Sequence, residues 1–441
     1  MFSVGVIVPT WHYFADPFKL QPLNELYFAT IIDERLGDDG VSVEVIDLRQ
    51  VRKEHGEFNE QLLGSYVPEY DLYMYWIAKS ADYYEIEKVV NNLRKRYPNA
   101  RHAAGGTHVD NFPQDCKEVF DAIVLGPGEE SFIKIIRQIR NGECDKVYQD
   151  DWKNIHYNDY PYPNRRFLPE SAILNDALFE KYGGLYATSA MFSRGCNFKC
   201  AYCVYNIPHT IQMRSPENIE AEIEYLKREY AIEAINLRDE ICIPLSRKVA
   251  EPYLQVMAES GLIWRGQTRV GAPKDIIETA KQAGCVELAV GVESVSQEVL
   301  DFINKGQSVG QAGNFLLACR EVGIKTKMCL ILGLPGEPAD IVEKTIRFIE
   351  EFRPDYVNVS GFCPVPGSII FDNPGYYGIK YIDTDWSRHA HLLCRFSDEE
   401  YFGLPFEYAE DTQWGKAFSR NEIIENIKQV QHYLQERLMA Y

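Results

Sequence analysis

The sequence predicts an α/β protein: an N-terminal doubly wound parallel sheet, a partial (β/α)6 barrel or second open sheet, and a small, partly helical C-terminal region. Short apolar runs alternate with helical periods, and this alternation is interrupted once near the middle of the chain. At 441 residues the chain is long enough for two or three domains. The expected parts are residues 1–140, a connection at 141–184, a second domain at 185–370 and a C-terminal cover at 371–441.

The first part is predicted to be an open sheet because its apolar runs are separated by helical periods such as 22–37 and 83–97. The strand candidates are 4–10, 41–48, 71–78, 100–106 and 121–129. Gly105–Gly106 and Gly126–Gly128 follow the last two strands, at the edge where such sheets bind ligands. The pattern leaves open whether these glycines approach a ligand or only form tight turns.

The alternation stops at 141–184, which is rich in Tyr, Asn, Asp and Pro and has no clean period, as expected of a connection. Beyond it, Ser215-Pro216-Glu217 predicts a helix start, and residues 421–438 form an amphipathic period. The strand candidates of the second part are 185–192, 232–237, 263–270, 286–293, 325–333 and 355–362. Chemistry in either architecture belongs on the loops at the C-terminal strand ends.

The composition indicates a protein with a substantial core and an acidic surface. It is 46% hydrophobic, and 46 basic against 65 acidic residues give a net charge of −19. This balance argues against a nucleic-acid partner. No apolar run is long enough for a membrane span, and the first residues resemble a strand rather than a signal peptide. We therefore expect a cytoplasmic protein.

Three cysteines, Cys196, Cys200 and Cys203, lie within eight residues after the first strand of the second part. Thiolates bind zinc or iron–sulfur clusters, and both usually take four ligands. His209 could complete a zinc site, although the spacing would be unusual for one. Alternatively, the cysteines hold three irons of a [4Fe–4S] cluster and leave the fourth iron open.

The segment "CNFKCAYC" resembles the C-x3-C-x-aromatic-C signature of the radical SAM superfamily. Further resemblance lies, in the family's order, in "RDE" (238–240), "QTRV" (267–270), residues 289–306, "LILGLPGE" (330–337) and "PVPGS" (364–368). The resemblance implies an anaerobic enzyme whose [4Fe–4S] cluster is held by Cys196, Cys200 and Cys203. The open iron would bind S-adenosylmethionine, and reduction by a protein such as flavodoxin or ferredoxin would release a 5′-deoxyadenosyl radical that abstracts hydrogen from a substrate.

Motif position also implies roles for residues that follow the cysteines. Asp239 or Glu240 would accept the amino group of S-adenosylmethionine, and Glu293 would bind the ribose. Arg269 would pair with the carboxylate, although it and Glu293 could instead form only internal ion pairs. The residues expected to lie near the adenine are Tyr202, Gly333, Leu334, Pro335 and Gly336. No catalytic acid or base is identified; Tyr205, His209 and Cys363 are substrate candidates by proximity alone.

The first part resembles the cobalamin-binding-type domain that precedes this barrel in one large subgroup. The segments that carry this resemblance are 22–34, 41–48, 103–113 and 122–136. The D-x-H-x-x-G sequence that supplies histidine to cobalt is absent, and His12 does not restore it. Gly105, Gly106 and Thr107 would be the place for the nucleotide tail if cobalamin binds.

Several functions are compatible with these features. With cobalamin, the expected reaction is C-methylation of a small-molecule, lipid or peptide substrate; without it, a radical dehydration, rearrangement or cyclisation. RNA methylthiolation is disfavoured because the chain lacks three N-terminal cluster cysteines and a basic C-terminal region. The alternative of another class is a zinc-stapled binding protein.

Overall fold

The computed structural model describes residues 1–11, 13–14, 16–55, 66–175, 177–204, 210–389 and 404–440. His12, Tyr205 and His209, which the sequence singled out, lie outside these ranges. The chain divides into two compact units, Met1–Leu178 and Phe179–Tyr441. No helix in the described ranges is long and apolar enough to cross a membrane.

The first unit is built on a six-stranded parallel sheet in the order β2-β1-β3-β4-β5-β6. Its strands are β1 Phe2–Val8, β2 Val41–Asp47, β3 Leu72–Trp76, β4 Arg101–Gly105, β5 Ala122–Leu125 and β6 Val147–Gln149. Because β1 lies between β2 and β3, the winding reverses at the carboxyl ends of β1 and β3. The predicted doubly wound parallel sheet is therefore confirmed.

One strand of this sheet falls in the segment that was expected to be a connection. β6 pairs with β5 through Ile123 and Val147, and the first unit continues to Leu178. Only the middle residue of β6, Tyr148, is buried. A strand this short, with two exposed residues, gives no apolar run to recognise.

Helices cover the faces of the first sheet. Their bounds are Leu23–Leu36, Leu48–His55, Tyr83–Arg96, Thr107–Asn111, Pro113–Val119, Glu129–Arg140 and Glu170–Ile173. Phe28 lies with its ring centroid 4.7 Å from that of Trp76 and 5.1 Å from that of Phe132. This aromatic cluster fixes two helices against the end of β3.

The second unit contains another six-stranded parallel sheet, in the order β14-β13-β12-β11-β10-β7. Its strands are β7 Ala187–Ala190, β10 Ala234–Leu237, β11 Ile263–Arg269, β12 Cys285–Glu293, β13 Lys325–Leu332 and β14 Tyr356–Gly361. Neighbours follow chain order, and in the described ranges β7 and β14 are the two edges. This is the open sheet of a partial (β/α)6 barrel, as predicted.

Helices connect these strands and begin where the sequence places capping residues. Their bounds are Pro216–Tyr230, Arg247–Ser260, Lys274–Gln282, Gln297–Phe302, Val309–Val322 and Ile341–Phe352. The predicted cap at Ser215 is confirmed, since its side chain accepts a hydrogen bond from the Asn218 N–H at 3.3 Å. Each crossover helix returns the chain to the end of the sheet at which strands begin. The C-terminal ends of all six strands therefore lie together at the opposite end.

The C-terminal region packs on the second unit. Its elements are a helix at Ile369–Asp372, the strand pairs β15 Ile379–Ile382 with β16 Phe406–Tyr408 and β17 Asp411–Thr412 with β18 Gly415–Lys416, and a helix at Arg420–Glu436. The last helix buries Ile423, Ile427 and Val430 and packs against β14. Its apolar stripe is the predicted amphipathic period.

Candidate functional site

A loop at the C-terminal end of β7 carries the three cysteines. It is closed by a two-stranded ribbon, β8 Ser193–Arg194 with β9 Gln212–Met213. Inside the ribbon, the Ile211 N–H donates to Asn197 Oδ1 at 3.2 Å. The Ala201 N–H also donates to the Ile303 carbonyl at 2.7 Å. Backbone contacts thus hold the loop against the segment that follows β12.

The three thiols differ in exposure and lie close enough to affect one another. Cys200 is buried, Cys196 half-buried and Cys203 partly exposed at the surface. Desolvation by the surrounding loop, followed by the nearby thiols of Cys200 and Cys196, nevertheless raises the pKa of Cys203 to about 12. In the described part of the chain no three His, Cys, Asp or Glu side chains could hold a single metal ion.

The two candidate metal groups require different distances between the thiols. A zinc ion binds sulfur at about 2.3 Å, so its thiolates must lie within about 4 Å of one another. In a [4Fe–4S] cluster each thiolate binds a separate iron, which allows a wider spread. Three cysteines would supply ligands for three irons of such a cluster.

The two acids after β10 tie that strand to the start of the cysteine loop. Asp239 accepts hydrogen bonds from Ser193 Oγ at 2.5 Å and from the Phe192 N–H at 3.3 Å, and burial raises its pKa to about 6. Glu240 accepts from the Gly195 N–H at 3.1 Å, and burial raises its pKa to about 7. Both oxygens of Asp239 are occupied by these bonds.

A lysine links the cysteine loop to the end of β12. Lys305 Nζ donates to Glu293 Oε1 at 2.8 Å and to the Tyr202 hydroxyl at 3.0 Å. The side chains of Lys305 and Glu293 are only 6% and 13% exposed. Glu293 follows a register shift in β12 and has φ +67°, a strained conformation for a residue other than glycine.

Arg269, at the end of β11, lies against the cysteine loop. Its Cζ is 3.3 Å from the ring centroid of Phe198, and its Nη2 donates to the Lys305 carbonyl at 2.6 Å. The residue is 6% exposed, and its Nε has no hydrogen-bond partner among the residues that the structure describes. A ligand acceptor at Nε would satisfy this buried donor.

The turn after β13 is held by a buried glutamate and by the C-terminal region. The Gly333 N–H donates to Glu337 Oε2 at 2.9 Å, and the Gly333 carbonyl accepts from the Tyr408 hydroxyl at 2.8 Å. A Cβ on Gly333 would lie 2.7 Å from Ile423. Leu334 and Pro335 are buried, whereas Gly336 is half-buried.

In the first unit, the glycines after β4 are explained by packing. A Cβ on Gly105 would lie 3.1 Å from the Trp76 ring, and one on Gly106 would lie 2.8 Å from the Ile77 carbonyl oxygen. Gly106 also has φ +103°, which favours glycine. Thr107 is half-buried and begins the short helix Thr107–Asn111.

The histidine that follows is turned into the protein. His108 Nδ1 lies 2.9 Å from Ser80 Oγ, and its ring stacks on Tyr83 at 4.3 Å. Burial lowers the pKa of His108 to about 3. His108 therefore does not extend from this strand end as a ligand for a metal.

Sequence reasoning missed three residues that organise the site. Lys305 lies within the quoted segment 289–306, but its contacts with Tyr202 and Glu293 join positions far apart in sequence. Ser193 and Phe198 flank Cys196 and looked like ordinary loop residues. The sequence showed only that Ser193 and Phe198 lie near the cysteines. It did not show which residues on other strands they contact.

Comparisons with known proteins identify the family of one domain. Residues 191–349 match the Radical SAM superfamily model. Across 66% of its length, the chain is 26% identical to an uncharacterised methyltransferase of Pyrococcus horikoshii and 25% identical to the anaerobic magnesium-protoporphyrin IX monomethyl ester cyclase of Rubrivivax gelatinosus. The chain spans 66% and 56% of the lengths of these relatives.

Among solved structures, the fold resembles the radical S-adenosylmethionine methyltransferase TsrM from Kitasatospora setae. The TM-score is 0.68 at 15% identity, covering 100% of this chain and 90% of that one. The matched region contains the cysteine loop and most of the partial (β/α)6 barrel. Residues 191–349 are therefore a Radical SAM domain, and the chain shares the fold of TsrM, whose structure was solved with cobalamin and a [4Fe–4S] cluster bound.

Proposed function

We propose that this enzyme abstracts hydrogen from a small-molecule, lipid or peptide substrate and, with cobalamin, methylates carbon. The observation that carries the proposal is the cysteine loop fixed at the C-terminal mouth of the partial barrel by the Lys305–Tyr202 hydrogen bond. Cys196, Cys200 and Cys203 would hold the cluster, which would supply the electron for reductive cleavage of S-adenosylmethionine. The substrate would enter the same mouth.

The chain's own residues would bind and orient S-adenosylmethionine. Cys196, Cys200 and Cys203 would hold three irons, leaving the fourth for its amino and carboxylate groups. Glu240 is the better candidate for the amino group, because both oxygens of Asp239 already accept hydrogen bonds. The unpartnered Nε of Arg269 is available to the carboxylate.

The proposed ribose and adenine contacts come from two strand ends. Glu293 would accept from the ribose hydroxyls, while Lys305 holds its carboxylate in place. Tyr202 and Gly336 would lie near the adenine. Gly333, Leu334 and Pro335 are buried and would contribute by shaping the turn, since Glu337 and Tyr408 already occupy the polar groups of Gly333.

Cobalamin binding at the first unit is supported by the doubly wound sheet and by the likeness to TsrM, whose structure was solved with cobalamin and a [4Fe–4S] cluster bound. Gly105, Gly106 and Thr107 would line its site. Trp76 and Ile77 fill the space beside the two glycines, so Thr107 offers the accessible side chain. His108 is held inside the unit and would not ligate cobalt. Cobalamin would supply the methyl group for transfer to carbon.

The test is anaerobic purification with hydroxocobalamin supplied, followed by measurement of corrinoid per chain and of reaction products. We expect stoichiometric corrinoid, with 5′-deoxyadenosine and S-adenosylhomocysteine formed together. Active protein that lacks corrinoid and forms only 5′-deoxyadenosine would contradict the methylation proposal. That result would favour a cobalamin-free cyclisation or related rearrangement, the second candidate, because one relative is named a cyclase.

A further inference from the structure

The sheet of the second unit has one packed face and one accessible face. In β12, Leu288, Val290 and Val292 are completely buried, whereas Ala289 and Gly291 are only half-buried. Since successive side chains in a strand point to opposite faces, these two sets lie on opposite sides of the sheet. We call the side of Ala289 and Gly291 the inner face.

Strand pairing places a row of polar side chains across this inner face. Gln267 of β11 lies beside Ala289, and Ala289 lies beside Lys327 of β13. Arg238 belongs to the same face, because Asn236 pairs with Arg265 and Arg238 follows two residues later. The Arg238 N–H continues the ladder to the Ala190 carbonyl at 2.8 Å. Ala289 leaves room in the centre of the row.

Two arginines on the inner face, Arg265 and Arg238, differ in whether they have an ion-pair partner. Arg265 forms an ion pair with Glu287 at 2.5 Å, and Lys181 reaches the same carboxylate. Arg238 makes no side-chain hydrogen bond or ion pair within the described ranges, although solvent reaches it. The surrounding protein lowers its pKa through burial and through Arg265, while Glu240 opposes the shift. Arg238 is thus an unpaired, solvent-accessible cation on the inner face.

A second observation also indicates a ligand on this face. Asn358 of β14 lies beside Cys329 of β13, which is two residues beyond Lys327 and therefore on the inner face. Asn358 is 5% exposed; its Nδ2 donates to Ser360 Oγ at 3.4 Å, and its Oδ1 has no partner among the residues described. A buried amide oxygen without a partner is costly unless something binds there.

We propose that Arg238, with Lys327 and Gln267 of the same row, binds an anionic group of the substrate, a carboxylate or a phosphate, inside the barrel. The inference rests on the proposed function, since it takes the substrate to enter the barrel mouth. A guanidinium presents paired donors that match two oxygens of such a group, and the solvent-accessible side chain of Arg238 can be reached by a ligand. Asn358 hydrogen-bonds a second polar group of the same ligand.

The carboxylate of S-adenosylmethionine is the other possible source of this anion. The reconstituted, anaerobic holoenzyme is therefore titrated calorimetrically with succinate, with inorganic phosphate and, separately, with S-adenosylmethionine. We expect wild-type protein to bind succinate or phosphate and Arg238→Gln to weaken that binding by at least about tenfold, with Arg238→Lys in between. Affinity for S-adenosylmethionine should change by less than about twofold.

Arg347→Gln is the matched control, because Arg347 is exposed on the helix Ile341–Phe352, outside the row. It should leave all three affinities unchanged. The proposal is overturned if wild-type protein binds neither anion, or if Arg238→Gln binds them as tightly as wild type. Loss of S-adenosylmethionine affinity in Arg238→Gln also overturns it and assigns Arg238 to that carboxylate. These titrations need no turnover, so failure of the proposed reaction would be seen separately as absent 5′-deoxyadenosine.

Discussion

At the scale of single residues, Lys305 does more to assemble the site than any one of the residues assigned by motif. Its ammonium group binds Tyr202 in the cysteine loop and Glu293 at the end of β12. Its carbonyl accepts from Arg269 at the end of β11. One residue thus fixes three of the groups proposed to surround S-adenosylmethionine.

Replacing Lys305 with Met is expected to lower the free energy of unfolding of the metal-free protein by about 2–4 kcal/mol. The cause is the partly buried Glu293 carboxylate, which would lose its counter-charge. Urea unfolding followed by tryptophan fluorescence measures the change. The Lys305→Met/Glu293→Gln double variant should lose less than the sum of the single variants. Strict additivity would show that the two side chains do not stabilise one another.

The cysteines were recognisable from sequence because their spacing is local, and their placement after β7 followed from the strand pattern. The contacts of Lys305, Arg269 and Phe198 were not recognisable, since they depend on how separate loops meet above the sheet. Asp239 illustrates the same limit. Its position after a strand was predicted, but only the structure shows that Ser193 and Phe192 occupy its carboxylate.

At the scale of elements, β12 is shaped around the ion pair at its end. A Cβ on Gly291 would lie 2.6 Å from Glu293 Oε1 and 3.2 Å from Lys305 Nζ. Glycine at this position therefore leaves the space in which the two charged groups meet. The register of β12 against β13 shifts between Gly291 and Glu293.

Gly291→Ala is expected to weaken S-adenosylmethionine binding by about tenfold or more while the protein remains folded. The added methyl group would displace Glu293 from Lys305. Gly310→Ala is the matched control, because a Cβ there meets nothing within 4 Å at the start of a helix. It should leave binding unchanged and stabilise the protein slightly. Equal binding by both variants would contradict the role given to Gly291.

The turn after β13 gives a pH-dependent prediction. Burial raises the pKa of Glu337 from 4.5 to about 8, so the folded protein holds this proton more tightly than the unfolded chain. The stabilisation of the folded protein by protonated Glu337 is fully present below pH 4.5 and is lost as the pH rises through 8. Glu337→Gln should therefore reduce the fall in Tm between about pH 6 and 9.

Differential scanning fluorimetry across this range measures the effect. Glu278→Gln, on the exposed face of the helix Lys274–Gln282, is the control and should follow the wild-type curve. Wild-type and Glu337→Gln curves that stay parallel would show that Glu337 is already ionised in the folded protein.

Most elements were predictable from sequence because long, buried strands and capped helices carry strong local patterns. β6 was not, because its three residues include only one buried side chain. The small strand pairs of the C-terminal region were missed for the same reason. Their places are set by packing: Tyr408 of β16 bonds the turn at Gly333.

At the scale of the whole molecule, the chain contains two parallel sheets. The candidate site residues of each sheet lie at the C-terminal ends of its strands. In the second unit, three cations lie toward this end: Arg269 and Lys305 are buried beside the cysteine loop, and Arg238 is solvent-accessible on the inner face. They supply local positive charge within a chain of net charge −19. This arrangement suits an anionic small ligand inside the barrel rather than a long polyanion on the surface.

The most direct test of the account is metal, sulfide and product analysis of the anaerobically reconstituted protein. We expect iron and acid-labile sulfide in equal amounts and, after reduction with dithionite, cleavage of S-adenosylmethionine to 5′-deoxyadenosine. The Cys200→Ala/Cys203→Ala variant should lose the cluster and this cleavage while keeping its far-ultraviolet circular dichroism. Bound zinc with no sulfide, and no 5′-deoxyadenosine under reducing conditions, would contradict the account and favour a zinc-stapled binding protein.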